Sequence, residues 1–379
     1  MRVISRSRLL VCFFAFSVLS CQLSSLHAQE PAASSTSSKE VKIGVVIPLT
    51  GSQAGYGVEA ARLFQLLSEE PGYQLDGIRF RFIIEDGKCG VGNAPITAAK
   101  KLVLVDKVNY IIAGCSGEVL QIAPFTEQKK VVLFGYVSAH RDVKHAGDYV
   151  FRTMYDIGEI GTATREKLKD LGVPKLAVVS EETSFTMGIK DVLIDALGKQ
   201  IVSKEDYPLD NPDRLGIVTR TRQRNPDAVF INAAAPPSYI QIYNELRRAG
   251  FRGPIFSYYQ AGSKEVIEAL GSTHDNVWYL SPPDTRGDAT RYAEMRQRYT
   301  KRFGEEINSE FQLATVYNAL QSIVDSVVAV GDFPDKVRNH LLSYSAPGAT
   351  GPISYDSNGD IKNVSIELKK IEGGKLVRP

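Results

Sequence analysis

Residues 109–136 read NYIIAGCSGEVLQIAPFTEQKKVVLFGY, and their pattern decides the fold. Two short apolar runs, 109–113 and 131–134, flank a segment in which Val119, Leu120, Ile122, Ala123 and Phe125 fall at helical spacing. That is a strand, a turn, a helix and a strand, the unit from which parallel sheets are built. The turn, Gly114-Cys115-Ser116-Gly117, falls where strand gives way to helix. A helix N-terminus presents unpaired backbone N–H groups and the positive end of the macrodipole, so it suits a carboxylate or another anion. Ser116 stands where it can cap the helix and offer its hydroxyl to a ligand.

The same alternation runs outward in both directions. Upstream, strand 41–49 leads through the Gly-rich loop 50–57 to a helix at 58–67, then strand 78–85 and helix 94–104. Residues 149–153 read as an extended connector. Downstream come helix 157–171, strand 175–180, helix 186–198, strand 201–207, helix 213–224, strand 228–232, helix 237–250, strand 255–259, helix 263–269 and strand 277–281. Ser281-Pro282-Pro283 is a second connector, followed by helices at 288–304, 311–330 and 334–342. The C-terminal stretch reads as strands around tight turns, with Asn358-Gly359 a strong hairpin signal. Alternating strands and helices predict an α/β fold of doubly wound parallel sheets, and two such series predict two lobes with a cleft between them.

At 379 residues the chain suits about two domains. The net charge is +2, but Arg2, Arg6 and Arg8 precede the apolar run Leu9–Leu19 in a stretch without acids. This pattern predicts an export signal over residues 1–28 and a flexible leader over 29–40. Without the three arginines, 42 basic side chains face 43 acidic ones, so the chain carries no basic excess for a nucleic acid. Leu26-His27-Ala28 suits cleavage before Gln29, giving a soluble periplasmic protein. Val18-Leu19-Ser20-Cys21 resembles a lipoprotein box, with an atypical Leu at its second position, and keeps a lipid anchor at Cys21 as the other reading. Two of the four cysteines lie in the signal. The remaining pair, Cys89 and Cys115, reads as a disulfide closing a loop of about 26 residues, worth about 3 kcal/mol, with two buried thiols as the alternative.

No catalytic constellation is spelled out. Ser116 lies in Gly-Cys-Ser-Gly rather than the Gly-x-Ser-x-Gly of a nucleophile elbow, and His140 reads as a loop residue rather than its base. The five histidines lack metal-ligand spacing, and no cofactor motif stands at a strand–helix junction. What recurs is a set of strand ends bearing small polar or aromatic residues: Tyr56, Ser116, Tyr136 to Ala139, Phe185 and Tyr258 to Gln260. Ligands of open α/β sheets bind outside the carboxyl ends of strands, where aromatics give apolar walls and hydroxyls orient the ligand.

VKIGVVIPLTGSQAGYG at 41–57, the Cys89/Cys115 pair with Ser116, YIQIYNELRRAGFRGP at 239–254 and TGPISYDSNGD at 350–360 together resemble one family. It is the type I periplasmic solute-binding proteins of ABC importers, of the branched-chain amino-acid (leucine/isoleucine/valine-binding) group. The resemblance covers about residues 41–379 and implies a disulfide between Cys89 and Cys115. It also implies a three-crossing hinge, with one lobe over 41–152 plus 284–348 and the other over 153–283 plus 349–379. The implied ligand set is Ser116 for a carboxylate with Gly117 beside it, a second hydroxyl anchor at Ser138 or, one residue on, at Ala139, and Tyr56 and Phe185 as aromatic walls. A Tyr is more usual than Phe at the last of these. Tyr259 and Tyr317 complete the candidate set. The implied partners are a small solute and separate permease and ATPase chains, with no enzyme activity.

One departure bears on the ligand. Amino-acid binders of the group hold the α-ammonium with an acid at the strand end after residue 255, where this chain reads Ser257-Tyr258-Tyr259-Gln260. A buried ammonium without a carboxylate is an expensive unpaired charge. The sequence therefore points to an aromatic or aliphatic acid or a small amide, unless Glu181 or Glu182 supplies the charge. A ligand-sensing receptor domain is the other functional reading of the same fold.

Overall fold

From Ile43 to Ile47 the first strand is buried at every residue, so both faces of its sheet must be covered. The computed structural model describes residues 39–69, 71–209, 213–282, 290–304, 307, 309–362 and 364–377. The expected signal, the leader up to residue 38, Cys21 and the boundary at 283/284 lie outside them, while Lys39 and Glu40, expected in the leader, begin the first strand.

The elements, in order, are β1 (Lys39–Ile47), α1 (Ala54–Ser68), β2 (Tyr73–Leu75), β3 (Ile78–Asp86), α2 (Ala94–Leu104), β4 (Tyr110–Cys115), α3 (Ser116–Lys129), β5 (Val132–Val137) and β6 (Val150–Arg152). Next come α4 (Gly158–Asp170), β7 (Leu176–Glu181), α5 (Ser184–Leu197), β8 (Ile201–Tyr207), α6 (Arg214–Gln223), β9 (Ala228–Asn232), α7 (Pro236–Arg248), β10 (Ile255–Tyr258), α8 (Lys264–Leu270) and β11 (Val277–Ser281). The chain ends with α9 (Thr290–Phe303), α10 (Glu310–Val330), α11 (Pro334–Leu341), β12 (Ser345–Gly348), β13 (Gly351–Ser354), β14 (Glu367–Glu372) and β15 (Lys375–Val377).

The first sheet has the order β2-β3-β1-β4-β5-β6, parallel except for β2. The second has the order β15-β14-β11-β10-β9-β7-β8, parallel except for β14 and β15. Each is doubly wound. The strand order reverses between β1 and β4 in the first sheet and between β7 and β9 in the second, and such switch points open crevices at strand ends. Helices α1, α9, α10 and α11 cover one face of the first sheet, and α2 and α3 cover the other. In the second sheet, α6, α7 and α8 lie opposite α4 and α5. Helix α10 is long and apolar enough to cross a membrane, yet most of it is buried as the core helix of the first assembly.

The chain does not pass to the second sheet at residue 349, as the sequence suggested. Ala349, Ile353, Tyr355 and Ile361 pack in the first core, and the chain enters the second sheet at Glu367. The reason is the β12–β13 hairpin, which folds back onto α10: Asn318 accepts from Ala349 N at 2.7 Å and donates to Thr350. Asn358-Gly359 does turn the chain, with Gly359 at φ +80°, but it closes a single Tyr355–Ile361 bridge rather than a ladder.

That turn meets the end of β6. Arg152 N donates to Gly359 O at 2.9 Å, and Ile361 N donates to Arg152 O at 3.2 Å. The Arg152 side chain is fully buried. Nε and Nη2 reach the two carboxylate oxygens of Asp360 at 2.6 and 2.7 Å, Nη2 also reaches Asp156 at 2.7 Å, and Nη1 donates to His140 O at 2.9 Å. A planar guanidinium can satisfy such a fork, which offsets the cost of removing the charge from water. Asp360→Ala leaves that charge half-compensated, so urea unfolding should show a loss of about 3–5 kcal/mol. A loss below about 1 kcal/mol would show that the pair is incidental, the usual worth of an exposed bridge.

His274 is buried between Tyr239 and Tyr243, with Nε2 3.0 Å from the Tyr239 hydroxyl. Burial pulls its pKa from 6.5 down to about 4. The unfolded chain therefore binds the extra proton first, and the stability this group confers above its unfolded value is lost as the pH falls toward 4. Between about pH 7 and about pH 4.5 the contribution is about 2 kcal/mol. Urea unfolding at both pH values should show His274→Gln losing that part of the slope, and an unchanged slope would contradict it.

Candidate ligand site at the facing strand ends

The two switch points meet. Asp86 holds the loop after β1 by accepting from Leu49 N at 2.9 Å and from the Thr50 hydroxyl at 2.5 Å. Tyr56, in the first turn of α1, then crosses to the second assembly: its hydroxyl donates to Ala234 O, after β9, at 2.9 Å and to the side-chain oxygen of Gln260. The start of α3 meets the start of α5. A β-carbon on Gly117 would lie 3.1 Å from Ser184 Oγ and 3.2 Å from Cys89 O, so this close approach needs a glycine.

Cys89 and Cys115 form the disulfide that fastens the loop after β3 to the end of β4. Glu118 completes this knot, a role the sequence reading missed although its i+3 spacing from Cys115 is the signal of a capping box. Its buried carboxylate accepts from Cys89 N at 3.0 Å, Gly114 N at 3.0 Å and Cys115 N at 2.8 Å. Burial pushes its pKa up to about 8 against the pull of these amides.

Of the candidate residues, Tyr56, Gly117, Phe185 and Tyr259 come to the facing strand ends. Phe185 packs edge-on against Tyr258 at 5.1 Å, and Tyr259 does so at 5.3 Å. Ser116 is the first helical residue rather than the cap, a position held by Cys115. It is fully buried and accepts from His140 N at 3.2 Å. Ser138 spends its proton on Gly114 O at 2.7 Å, tying the end of β5 to that of β4. Tyr317 does not reach the cleft. It lies in the first core against Tyr292, within reach of Tyr73, Arg291 and Asp325. Glu181 does not stand free for a ligand either: it accepts from Ala234 N at 2.7 Å and from the Ser238 hydroxyl at 2.6 Å at the start of α7, and Glu182 is exposed.

A cavity of about 710 Å³ opens between the two assemblies, lined by Gln53, Tyr56 and Glu59 from α1 and its loop, Pro236, Pro237, Ser263 and Glu265 from the second sheet's side, and Ser309 and Gln312 beside α10. Of its lining, Nε2 of Gln53 and Gln312, Oε1 of Gln312 and the hydroxyl of Ser263 are buried with no hydrogen-bond partner; among the described residues outside the lining, so are Nε2 of Gln260 and the hydroxyls of Tyr136 and Tyr155. The Tyr136 and Tyr155 hydroxyls sit within electrostatic range of Tyr259. Burial raises the phenol pKa of Tyr56, Tyr136, Tyr155 and Tyr258, and pushes that of Tyr259 up to about 12, so all five remain neutral donors. Tyr136, near the end of β5, is one of the strand-end residues that the sequence pattern named, and Tyr155 stands just beyond β6, where the same pattern could have found it. Gln312 sits on a distant helix and had no such signal.

The family model described as "Periplasmic binding protein" matches residues 40–365. The chain is a periplasmic binding protein. This binding protein is similar to the Leu/Ile/Val-binding protein homolog 3 of Brucella melitensis, at 19% identity over 89% of this chain and 93% of that one. Its fold is that of the leucine-binding protein LivK from Thermotoga maritima, with a TM-score of 0.76 and 22% identity over 89% of this chain and 97% of that chain. It is equally that of a Rhodopseudomonas palustris ABC-transporter solute-binding protein in complex with 3,4-dihydroxybenzoic acid, with a TM-score of 0.74 and 20% identity over 89% and 95% of the two chains. The binding protein is thus a type I member of the branched-chain amino-acid group, a solute-binding component of ABC-transporter type rather than an enzyme, and the family places it outside the cytoplasm.

Proposed function

We propose that this chain captures a small carboxylate-bearing solute between two lobes and delivers it to the permease and ATPase of an ABC importer. The lobes are the two sheets with their helices, hinged at the end of β6, between β11 and α9, and between Ile361 and Glu367. The observation that carries the reading is the excess of neutral donors in the cavity. Among the side chains that line it, Gln53 and Gln312 leave amide N–H₂ groups and Ser263 leaves a hydroxyl without protein partners, against the one amide oxygen of Gln312. A buried donor left unpaired is costly, so this set favours a ligand rich in acceptor oxygens. Tyr56 supplies an aromatic wall.

Nothing at 257–260 pairs an α-ammonium, and Glu181 is already engaged with α7. This supports an aromatic or aliphatic acid over an amino acid. A second reading has one observation in its favour: Glu59, which accepts from Ser309 N at 3.3 Å, also lines the cavity and brings a carboxylate near any bound ammonium. The names of the relatives point both ways, one to leucine and one to a dihydroxybenzoic acid.

A thermal-shift panel on protein unfolded and refolded to strip carried-over ligand distinguishes the two. At about a hundredfold over its dissociation constant a ligand adds about 2.7 kcal/mol. Benzoates or branched aliphatic acids should raise the melting temperature, while leucine and isoleucine should not. A shift with the amino acids alone contradicts the preference for an acid, and silence across the panel contradicts the carboxylate reading.

A further inference from the structure

The donor excess has one exception, and it sits on Gln312. This residue is 4% exposed, lines the cavity, and leaves both its amide oxygen and its amide nitrogen without a hydrogen-bond partner. Other buried amides on α10 meet the β12–β13 hairpin: Asn318 bonds Thr350 and Ala349 with both its ends, and Gln321 donates to Pro347 O at 2.9 Å while its oxygen stays unpaired. Gln312 lies further toward the helix start, where Ser309 and Glu59 also border the cavity. The Tyr259 hydroxyl is close enough to feel the donating end of its amide, though the pair falls short of hydrogen-bond geometry.

Whichever way the amide is turned, one end donates and the other accepts. A carboxylate can satisfy the donating end and has no proton for the accepting one. We infer that Gln312 selects a solute carrying a neutral hydrogen-bond donor, a hydroxyl or an amide, in addition to its carboxylate. The inference rests on the carboxylate reading of the cavity and narrows it to hydroxy or carbamoyl acids. A plain apolar tail leaves the Gln312 oxygen buried and unpaired, and sites built to bond a ligand hydroxyl reject the analogue without it.

The test is calorimetric titration of the refolded protein with benzoate, 4-methylbenzoate, the three hydroxybenzoates and 4-carbamoylbenzoate. At least one hydroxy or carbamoyl acid should bind about 10-fold to 100-fold more tightly than benzoate, and more tightly than the methyl analogue of similar shape. This comparison uses the natural chain, so it stands even where a variant fails to fold. In Gln312→Leu, checked for folding by its melting curve, the ratio should shrink to within about threefold as the unpaired amide is removed. Equal binding of benzoate and all the substituted acids overturns the inference while leaving carboxylate capture in place, as does a ratio unchanged in the variant. Binding of none of the acids overturns the reading of the cavity and this inference with it.

Discussion

A single buried guanidinium holds the chain where it passes from one sheet to the other. Arg152 ends β6, and its fork is filled by Asp360, from a segment more than two hundred residues later in the chain. An unpaired charge at such a site would be intolerable, so the two crossing segments must lie side by side. The same side chain donates to His140 O, and His140 N donates to Ser116 at the start of α3. The crossing and the start of α3 are thereby joined by a short run of hydrogen bonds. Hinges of such proteins absorb backbone rotation in a few residues, and a charged pivot there can keep the crossings in register while the rest turns.

Around that pivot the architecture follows from two doubly wound sheets whose switch points face each other. The first supplies Tyr56 and the start of α3; the second supplies Ala234 and the start of α5. Their contact needs a bare Gly117 and a loop stapled by Cys89–Cys115 and Glu118. Beside the carboxylates of Glu59 and Glu265, the lining offers neutral groups: a phenol kept protonated by burial, and amides. Such groups orient a ligand without meeting it with full charge, and they recognise shape and acceptor pattern together.

Much of the fold was legible because buried parallel strands are short apolar runs and the helices between them repeat every three or four residues. The expected bounds of Ala94–Leu104, Ile201–Tyr207, Ala228–Asn232 and Val277–Ser281 match the structure. Legibility failed where tertiary packing decides. Helix α10 is apolar around most of its circumference, so its pattern could not say which face Tyr317 shares, and it points into the core. The passage at 349 was misplaced because a hairpin folds back through bonds to Asn318, which no local pattern announces. Ser138 stands at the right strand end, yet its hydroxyl is spent on Gly114. Gln312 and Gln53 come from segments far apart in the chain, so their meeting at one cavity is a property of the fold rather than of any motif.

The central claim is that a solute is held between the sheets by these neutral donors. The most direct measurement is a crystal structure of the protein with the tightest-binding acid. The account predicts electron density for the acid in the cavity, its carboxylate oxygens within hydrogen-bond distance of groups among Gln53, Ser263 and Gln312, and its body against Tyr56. An acid bound elsewhere, or bound in the cavity with those side chains still unpaired, would contradict it.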